Sequence, residues 1–344
     1  MPDTITQPTA PVKLTIKDFQ SDQDVRWCPG CGDYSILAQV QRVLPEFAHK
    51  KEDYVMISGI GCSSRFPYYM DTYGMHGIHG RATAIASGVK MVNPNLQVWV
   101  ATGDGDGLSI GGNHMIHMLR RNLNIKVLLF NNQIYGLTKG QFSPTSVVGQ
   151  ITKSTPYGAI DYPFIPVSLA LGASTTFVAR TMDRDPKHLQ EIVRRAEKHQ
   201  GSAFVEIYQN CNVFNDGAFD LFTEKDKRDD HIVYLEQGKP LVFGKQKNKG
   251  IRLNGFTPEA VSLTDGKYST SDLLVHDDND STLAFILANM IHNPELPRAM
   301  GVFLSLQRPT YEMVMEEQIT KMKAKKGNGD LQELLDGDET WVIQ

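Results

Sequence analysis

The chain has 344 residues, 41% of them hydrophobic, enough to bury a substantial core in one large domain or two smaller ones. Its formal charge of −4 rests on 35 basic and 39 acidic residues with no strongly one-signed block, which excludes the electrostatic footprint of a nucleic-acid binder. No apolar run approaches the ~20 residues needed to cross a bilayer, and four cysteines are too few for a disulfide scaffold, so any clustered thiols point to metal ligation or catalysis.

Residues 1–13 lack the basic start, apolar stretch and cleavage site of a signal peptide, so they are expected to form a disordered tail on a cytoplasmic protein. From about Lys13 to Tyr208 short β-branched runs alternate with helical periodicity, the pattern of crossover units on a parallel sheet. The cysteine loop WCPGCG comes first. The helix expected over Tyr34–Leu44 gathers Ile36, Leu37, Val40, Val43 and Leu44 on one face. A strand over Tyr54–Ser58 runs into GIGCSSR (59–65), and HGRA (79–82) opens a helix over Ala82–Val92 that stops before Asn93-Pro94. A strand over Gln97–Ala101 leads to GDGDGLSIGGNH (103–114). His114 and His117, at helical spacing on the segment that follows, read as packing or surface residues. A strand over Lys126–Phe130 ends in NNQIYGLTKGQ (131–141). The amphipathic helix Pro186–His199, the strand Ala203–Tyr208 and Cys211 complete a domain expected to span 14–215. Beyond it the sequence turns charged and turn-rich, with KQKNKG at 245–250, HDDND at 276–280 and one good helix at Leu283–His292. Residues 216–344 therefore read as an irregular extension that wraps the core or a partner. The expected fold is α/β, a doubly wound and mostly parallel sheet with that extension.

Residues 98–136 form one crossover unit with a loaded turn. A dinucleotide fingerprint would need G-x-G-x-x-G, but after Gly103 and Gly105 the sixth position is Leu108, and Asp104 and Asp106 would repel a pyrophosphate. A Mg²⁺ between carboxylate and phosphate removes the conflict, because this hard cation combines one or two carboxylates with phosphate oxygens. Its further oxygen ligand is available from Asn131 and Asn132, the latter 28 residues after Asp104, at the carboxyl end of the neighbouring strand. Asp106 reads as a turn residue or one that supports the ligands.

The thiols of Cys28 and Cys31 can grip one metal centre, while Cys62 and Cys211 each follow a candidate strand, which places all four on one sheet edge. Spacing alone leaves structural zinc and a [4Fe–4S] cluster both open. One pair with two distant singles favours the cluster over the paired knuckles common in zinc sites, and buried core thiols are the plain alternative for Cys62 and Cys211.

GDG followed by NN at this spacing resembles the thiamine-diphosphate fingerprint. With CPGCG, GIGCSSR, HGRA, GLTKGQ and the late cysteine, the stretch from about Trp27 to Cys211 resembles the β subunit of 2-oxoacid:ferredoxin oxidoreductases, and most of all the 2-oxoglutarate enzymes. The resemblance implies a pyrophosphate-domain fold that binds thiamine diphosphate. Gly103, Asp104 and Gly105 would lie at the cofactor, with Asp104, the Asn132 side chain and the Ile134 carbonyl on Mg²⁺. Gly61, Cys62, Ser63, Ser64, His79, Gly80 and Arg81 would surround the diphosphate, where a donor and a cation offset charge that the metal only partly cancels. Cys28, Cys31, Cys62 and Cys211 would hold a [4Fe–4S] cluster. The implied reaction is oxidative decarboxylation of 2-oxoglutarate with coenzyme A to succinyl-CoA and CO₂, electrons passing through the cluster to ferredoxin, with reverse carboxylation permitted. Lys139 would pair with the distal carboxylate of the substrate. The resemblance also implies a larger α subunit as obligate partner, with two copies of each chain. The alternatives are a pyruvate-specific or broad 2-oxoacid enzyme, a non-oxidative thiamine-dependent decarboxylase, and a zinc-stabilised interaction subunit without activity.

Overall fold

A computed structural model describes residues 13–341; residues 1–12 of the expected tail lie outside the described residues. Its strands are β1 (Tyr54–Ser58), β2 (Tyr73–His76), β3 (Gln97–Gly103), β4 (Ile125–Asn131), β5 (Phe177–Met182), β6 (Ala203–Tyr208), β7 (Ile232–Leu235), β8 (Val242–Phe243), β9 (Lys249–Asn254), β10 (Thr257–Ser262) and β11 (Arg298–Ser305). Eight of them form one sheet in the order β2-β1-β3-β4-β6-β5-β11-β7, while β8, β9 and β10 make a small antiparallel sheet. The large sheet is parallel except where β11 meets β5.

The pleat of the central strands sorts apolar residues onto two cores. On β3, Val98 and Val100 face one way and Trp99 and Ala101 the other; β4 divides Val127 and Leu129 from Leu128 and Phe130 in the same manner. Burial on both faces explains why these strands read as unbroken apolar runs. The second face is covered by α1 (Asp33–Val43), through Ile36, Leu37, Val40 and Val43, and by a helix at Pro186–Lys198, through Leu189, Ile192, Val193 and Ala196. The first face is covered by α2 (Ala82–Val92), by the helices Gly112–Arg121 and Pro166–Gly172, and by the helix Ser281–Asn289.

Residues after 215 wrap this core and also enter it, since β11 and β7 continue the large sheet past β5. The octapeptide RAMGVFLS of β11 is almost wholly buried, but Gly301 and a register shift between Val302 and Leu304 interrupt its period, which hides it among charged neighbours. The helix Tyr311–Lys326 beyond it is largely exposed. Among the described residues no helix is long and apolar enough to cross a membrane.

Candidate functional site

The carboxyl ends of β1, β3, β4 and β6 lie side by side, with Gly103 opposite Phe130 and Asn131 opposite Tyr208 in register. The loops after these strands therefore emerge on one edge. They line a cleft formed by Ile60 to Ser63, His79, Gly103 to Asp106, Asn132 and Ile134 to Thr138.

Asp104 opens a one-turn helix, Asp104–Leu108, directly after β3. Although it sits in a turn, it is only 2% exposed, because residues 143–146 fold back over it. Ser143 Oγ donates to its Oδ2 at 2.5 Å and Thr145 Oγ1 at 2.6 Å. Burial raises its pKa, these hydroxyls hold the rise back, and no cationic side chain among the described residues offsets its charge. A buried carboxylate served by neutral donors alone suits a divalent cation. Asn132 and Ile134 stand across the cleft, Asn132 Oδ1 accepting from Ile134 N at 3.2 Å. The turn must carry Gly105, since a Cβ there would lie 2.3 Å from the Tyr135 ring, whose hydroxyl donates to Gly105 O.

Asp106 has a different task. Its Oδ1 accepts from Ile60 N at 3.1 Å and Gly80 N at 2.7 Å and lies 2.6 Å from His79 Nδ1, while its Oδ2 accepts from Thr102 Oγ1 at 2.6 Å. One carboxylate thus ties GIGC, HGR and the end of β3 together, and the bond orients His79 at the cleft. Of the other residues placed around a diphosphate, Gly61, Cys62 and Ser63 line the cleft. Gly80 lies behind it as a donor to Asp106. The remaining two point elsewhere: Arg81 donates to the carbonyls of His79, Gly80 and Ile110, and Ser64 is buried, its carbonyl accepting from Ser58 Oγ. Lys139 is exposed just past Thr138, with a left-handed φ of 76°. His114 is half-buried and His117 exposed.

The cysteines meet at the same edge. Cys28 and Cys31 close a turn through Cys31 N to Cys28 O at 3.0 Å, with Gly30 supplying the positive φ. Asn212 Nδ2 donates to Pro29 O at 2.6 Å and Trp27 Nε1 to Cys62 O at 2.7 Å, so this loop is tied to both distant cysteines. A Cβ on Gly136 would sit 3.5 Å from Cys211 Sγ and 3.7 Å from Cys62 Sγ, which puts both sulfurs against the loop that borders the cleft. All four thiols are free. Burial pushes the pKa of Cys62 up to about 12, with Asp33, Cys211 and Cys28 adding to the rise, and Cys31 is raised by burial, Asp33, Cys211 and Cys62. Half-buried thiols such as Cys31 and Cys62, which disfavour each other's ionisation, suit a shared metal centre that stabilises the thiolates together. Among the described residues no group of three or more His, Cys, Asp or Glu forms a ready-made ion shell.

Sequence reasoning passed over Ser143, Thr145 and Gln209. The first two reach Asp104 from about 40 positions downstream, with no spacing to betray them. Gln209 follows β6 and bonds to Asn132 and Cys31 at once.

Residues 59–207 match the family model described as the thiamine pyrophosphate enzyme C-terminal TPP binding domain. The 2-oxoglutarate oxidoreductase subunit KorB of Mycobacterium tuberculosis is 50% identical over 331 residues, covering 95% of this chain and 88% of that one. Subunit beta of the 2-oxoacid:ferredoxin oxidoreductase 2 of Aeropyrum pernix is 42% identical over 220 residues, 64% of this chain and 70% of its own. Among solved structures, the 2-oxoglutarate:ferredoxin oxidoreductase from Magnetococcus marinus with 2-oxoglutarate, coenzyme A and succinyl-CoA bound superposes with a TM-score of 0.75 at 32% identity, over 96% of this chain and 97% of that one. Near-full-length identity of this order, with the cleft and the thiols on one sheet edge, means that the chain belongs to the β subunits of the 2-oxoacid:ferredoxin oxidoreductase family.

Proposed function

We propose that this chain is the β subunit of a 2-oxoglutarate:ferredoxin oxidoreductase, which with a larger α subunit converts 2-oxoglutarate and coenzyme A to succinyl-CoA and CO₂ in the cytoplasm and passes the electrons to ferredoxin. The observation that carries the reading is a buried, uncompensated Asp104 on the edge where the sulfurs of Cys62 and Cys211 lie against Gly136 and the Cys28–Cys31 loop is tied to both segments. Thiamine diphosphate supplies, when bound, a centre that stabilises the carbanion left by decarboxylation, and a [4Fe–4S] cluster supplies a one-electron acceptor. Asp104, Asn132 and the Ile134 carbonyl would hold Mg²⁺; Cys28, Cys31, Cys62 and Cys211 would hold the cluster. His79, oriented by Asp106, would line the diphosphate together with Gly61, Ser63, Gly103 and Gly105. Both sites lie within 14–215, with 216–344 extending over the core and toward the partner.

The co-expressed, anaerobically purified pair should be brown and contain iron and thiamine diphosphate. Cys62→Ala and Cys211→Ala should each lose most of the iron and all ferredoxin reduction; full iron content in either variant removes that residue from the ligand set. One zinc and no iron in the wild type would favour an interaction subunit instead.

Substrate choice is assigned to Lys139, whose exposed ammonium at the cleft rim can meet the distal carboxylate that pyruvate lacks. Lys139→Ala is expected to raise KM for 2-oxoglutarate about fivefold, the worth of one partly solvated ion pair, and to leave pyruvate turnover unchanged. An equal effect on both substrates would take Lys139 out of the pocket.

A further inference from the structure

Gln209 is buried, 1% exposed, at the first position after β6, with its backbone N–H donating to Asn131 O at 2.9 Å. Its side chain spans the two proposed sites. Oε1 accepts from Asn132 Nδ2 at 2.8 Å; Nε2 donates to Asn210 O at 2.6 Å and to Cys31 Sγ at 3.3 Å. The orientation of this amide is fixed from both ends. Asn132 Oδ1 is committed to Ile134 N, so Asn132 must offer its NH₂ to Gln209, and the Asn210 carbonyl can only accept. A flipped Gln209 would set donor against donor at one end and oxygen against oxygen at the other. Its two amide hydrogens are therefore both used, and one of them is aimed at the sulfur.

We propose that Gln209 is a positioning residue for both centres: its N–H to Cys31 sets the reduction potential of the cluster that the cysteines hold, and its carbonyl locks the Asn132 rotamer that presents oxygen to the metal. This rests on the cluster and Mg²⁺ assignments made above. A hydrogen bond to a ligating sulfur stabilises the more negatively charged, reduced state and raises the potential. One amide thus joins the groups on either side through two hydrogen bonds. A displacement of Asn132 would be felt at Cys31, and the reverse.

Two variants separate the functions, because Gln209→Met removes donor and acceptor while Gln209→Glu removes the donor and keeps an acceptor for Asn132. In the anaerobic two-subunit enzyme, a redox titration followed by electron paramagnetic resonance should place the cluster of both variants at a more negative potential than wild type. Calorimetry on cofactor-depleted enzyme should show Mg²⁺–thiamine diphosphate affinity about fivefold weaker in Gln209→Met, the worth of one hydrogen bond, and little changed in Gln209→Glu. Potentials that do not move in either variant overturn the proposal whatever the activities do. If a variant fails to hold iron, the affinities decide: equal binding by Gln209→Met and Gln209→Glu overturns the Asn132 half and with it the proposal. Absence of iron from the wild-type pair would bring down the functional reading itself; iron present with unmoved potentials brings down this inference alone.

Discussion

Asp104→Ala is expected to abolish retention of thiamine diphosphate while leaving the apo protein folded, and Asp106→Ala to destabilise the fold itself. The two carboxylates stand two residues apart and are equally buried, at 2% and 3% exposed, yet their partners differ in kind. Asp104 is met by side-chain hydroxyls that have other acceptors in reach, Thr145 Oγ1 lying 3.0 Å from Asn131 Oδ1 and Ser143 Oγ 3.4 Å from Ser146 Oγ. Removing Asp104 leaves both hydroxyls with an alternative acceptor and relieves the burial of an unmatched charge, so apo stability should stay within about 1 kcal/mol of wild type. Cofactor affinity should fall well over about 100-fold, because even the groups behind metal ligands are worth 10–100-fold. Asp106→Ala strands the N–H groups of Ile60 and Gly80 and leaves the Thr102 hydroxyl only the distant Gly103 carbonyl at 3.4 Å, and should cost about 3 kcal/mol or more. Urea denaturation of the apo protein and calorimetric titration with Mg²⁺–thiamine diphosphate check both. Equal cofactor affinity in wild type and Asp104→Ala would end the Mg²⁺ assignment.

That division of labour between the two aspartates marks where the sequence stops being legible. Position in a turn and charge conflict were enough to single out Asp104, and strand-end logic was enough to bring Asn132 and the four cysteines to one edge. Both rest on local pattern plus one topological rule. Burial of Asp104 depends on residues 143–146 returning from about 40 positions away, and no periodicity encodes that. The strands show the same boundary. Those at 54–58 and 203–208 were read to the residue and the other two central ones to within two, all being largely apolar runs buried on both faces. The strand β5, FVARTM, was missed because its apolar run stops after three residues at Arg180-Thr181, whereas that of β6 resumes after Glu206 with Ile207-Tyr208. It lies directly opposite Glu206 on β6, their side chains 2.7 Å apart and both fully buried, with Glu206 also accepting from Asn131 Nδ2. A charge that a cross-strand partner neutralises looks like a loop residue until the register is known. The edge strand β2 has all four side chains exposed and offers no alternation to detect.

The chain expressed alone, even with its thiols and cofactor site intact, should show no reduction of ferredoxin above background with 2-oxoglutarate, coenzyme A and thiamine diphosphate. Thiamine chemistry needs two protein surfaces, one that grips the metal-bound diphosphate and one that presents a carboxylate to the aminopyrimidine ring. Among the described residues only a cleft suited to the first is found. The carboxylates that might have served are committed elsewhere: Glu191 is 61% exposed beside Arg194, Glu197 accepts from the Tyr54 hydroxyl in the core, and Glu206 is held by Arg180 and Asn131. None lines the cleft. The loop that returns over Asp104 meanwhile leaves Ile151, Tyr157, Ile160 and Tyr162 between 75% and 100% exposed, an apolar surface of the sort that a lone soluble subunit rarely shows. Its base holds Asp104 through Ser143 and Thr145, so a partner seated on this loop would bury the apolar surface and firm the metal site in one step. Mixing the purified α subunit with this chain should therefore restore turnover and also tighten binding of Mg²⁺–thiamine diphosphate. Turnover by the isolated chain comparable to that of the pair would show that a pyrimidine-facing carboxylate lies within it after all.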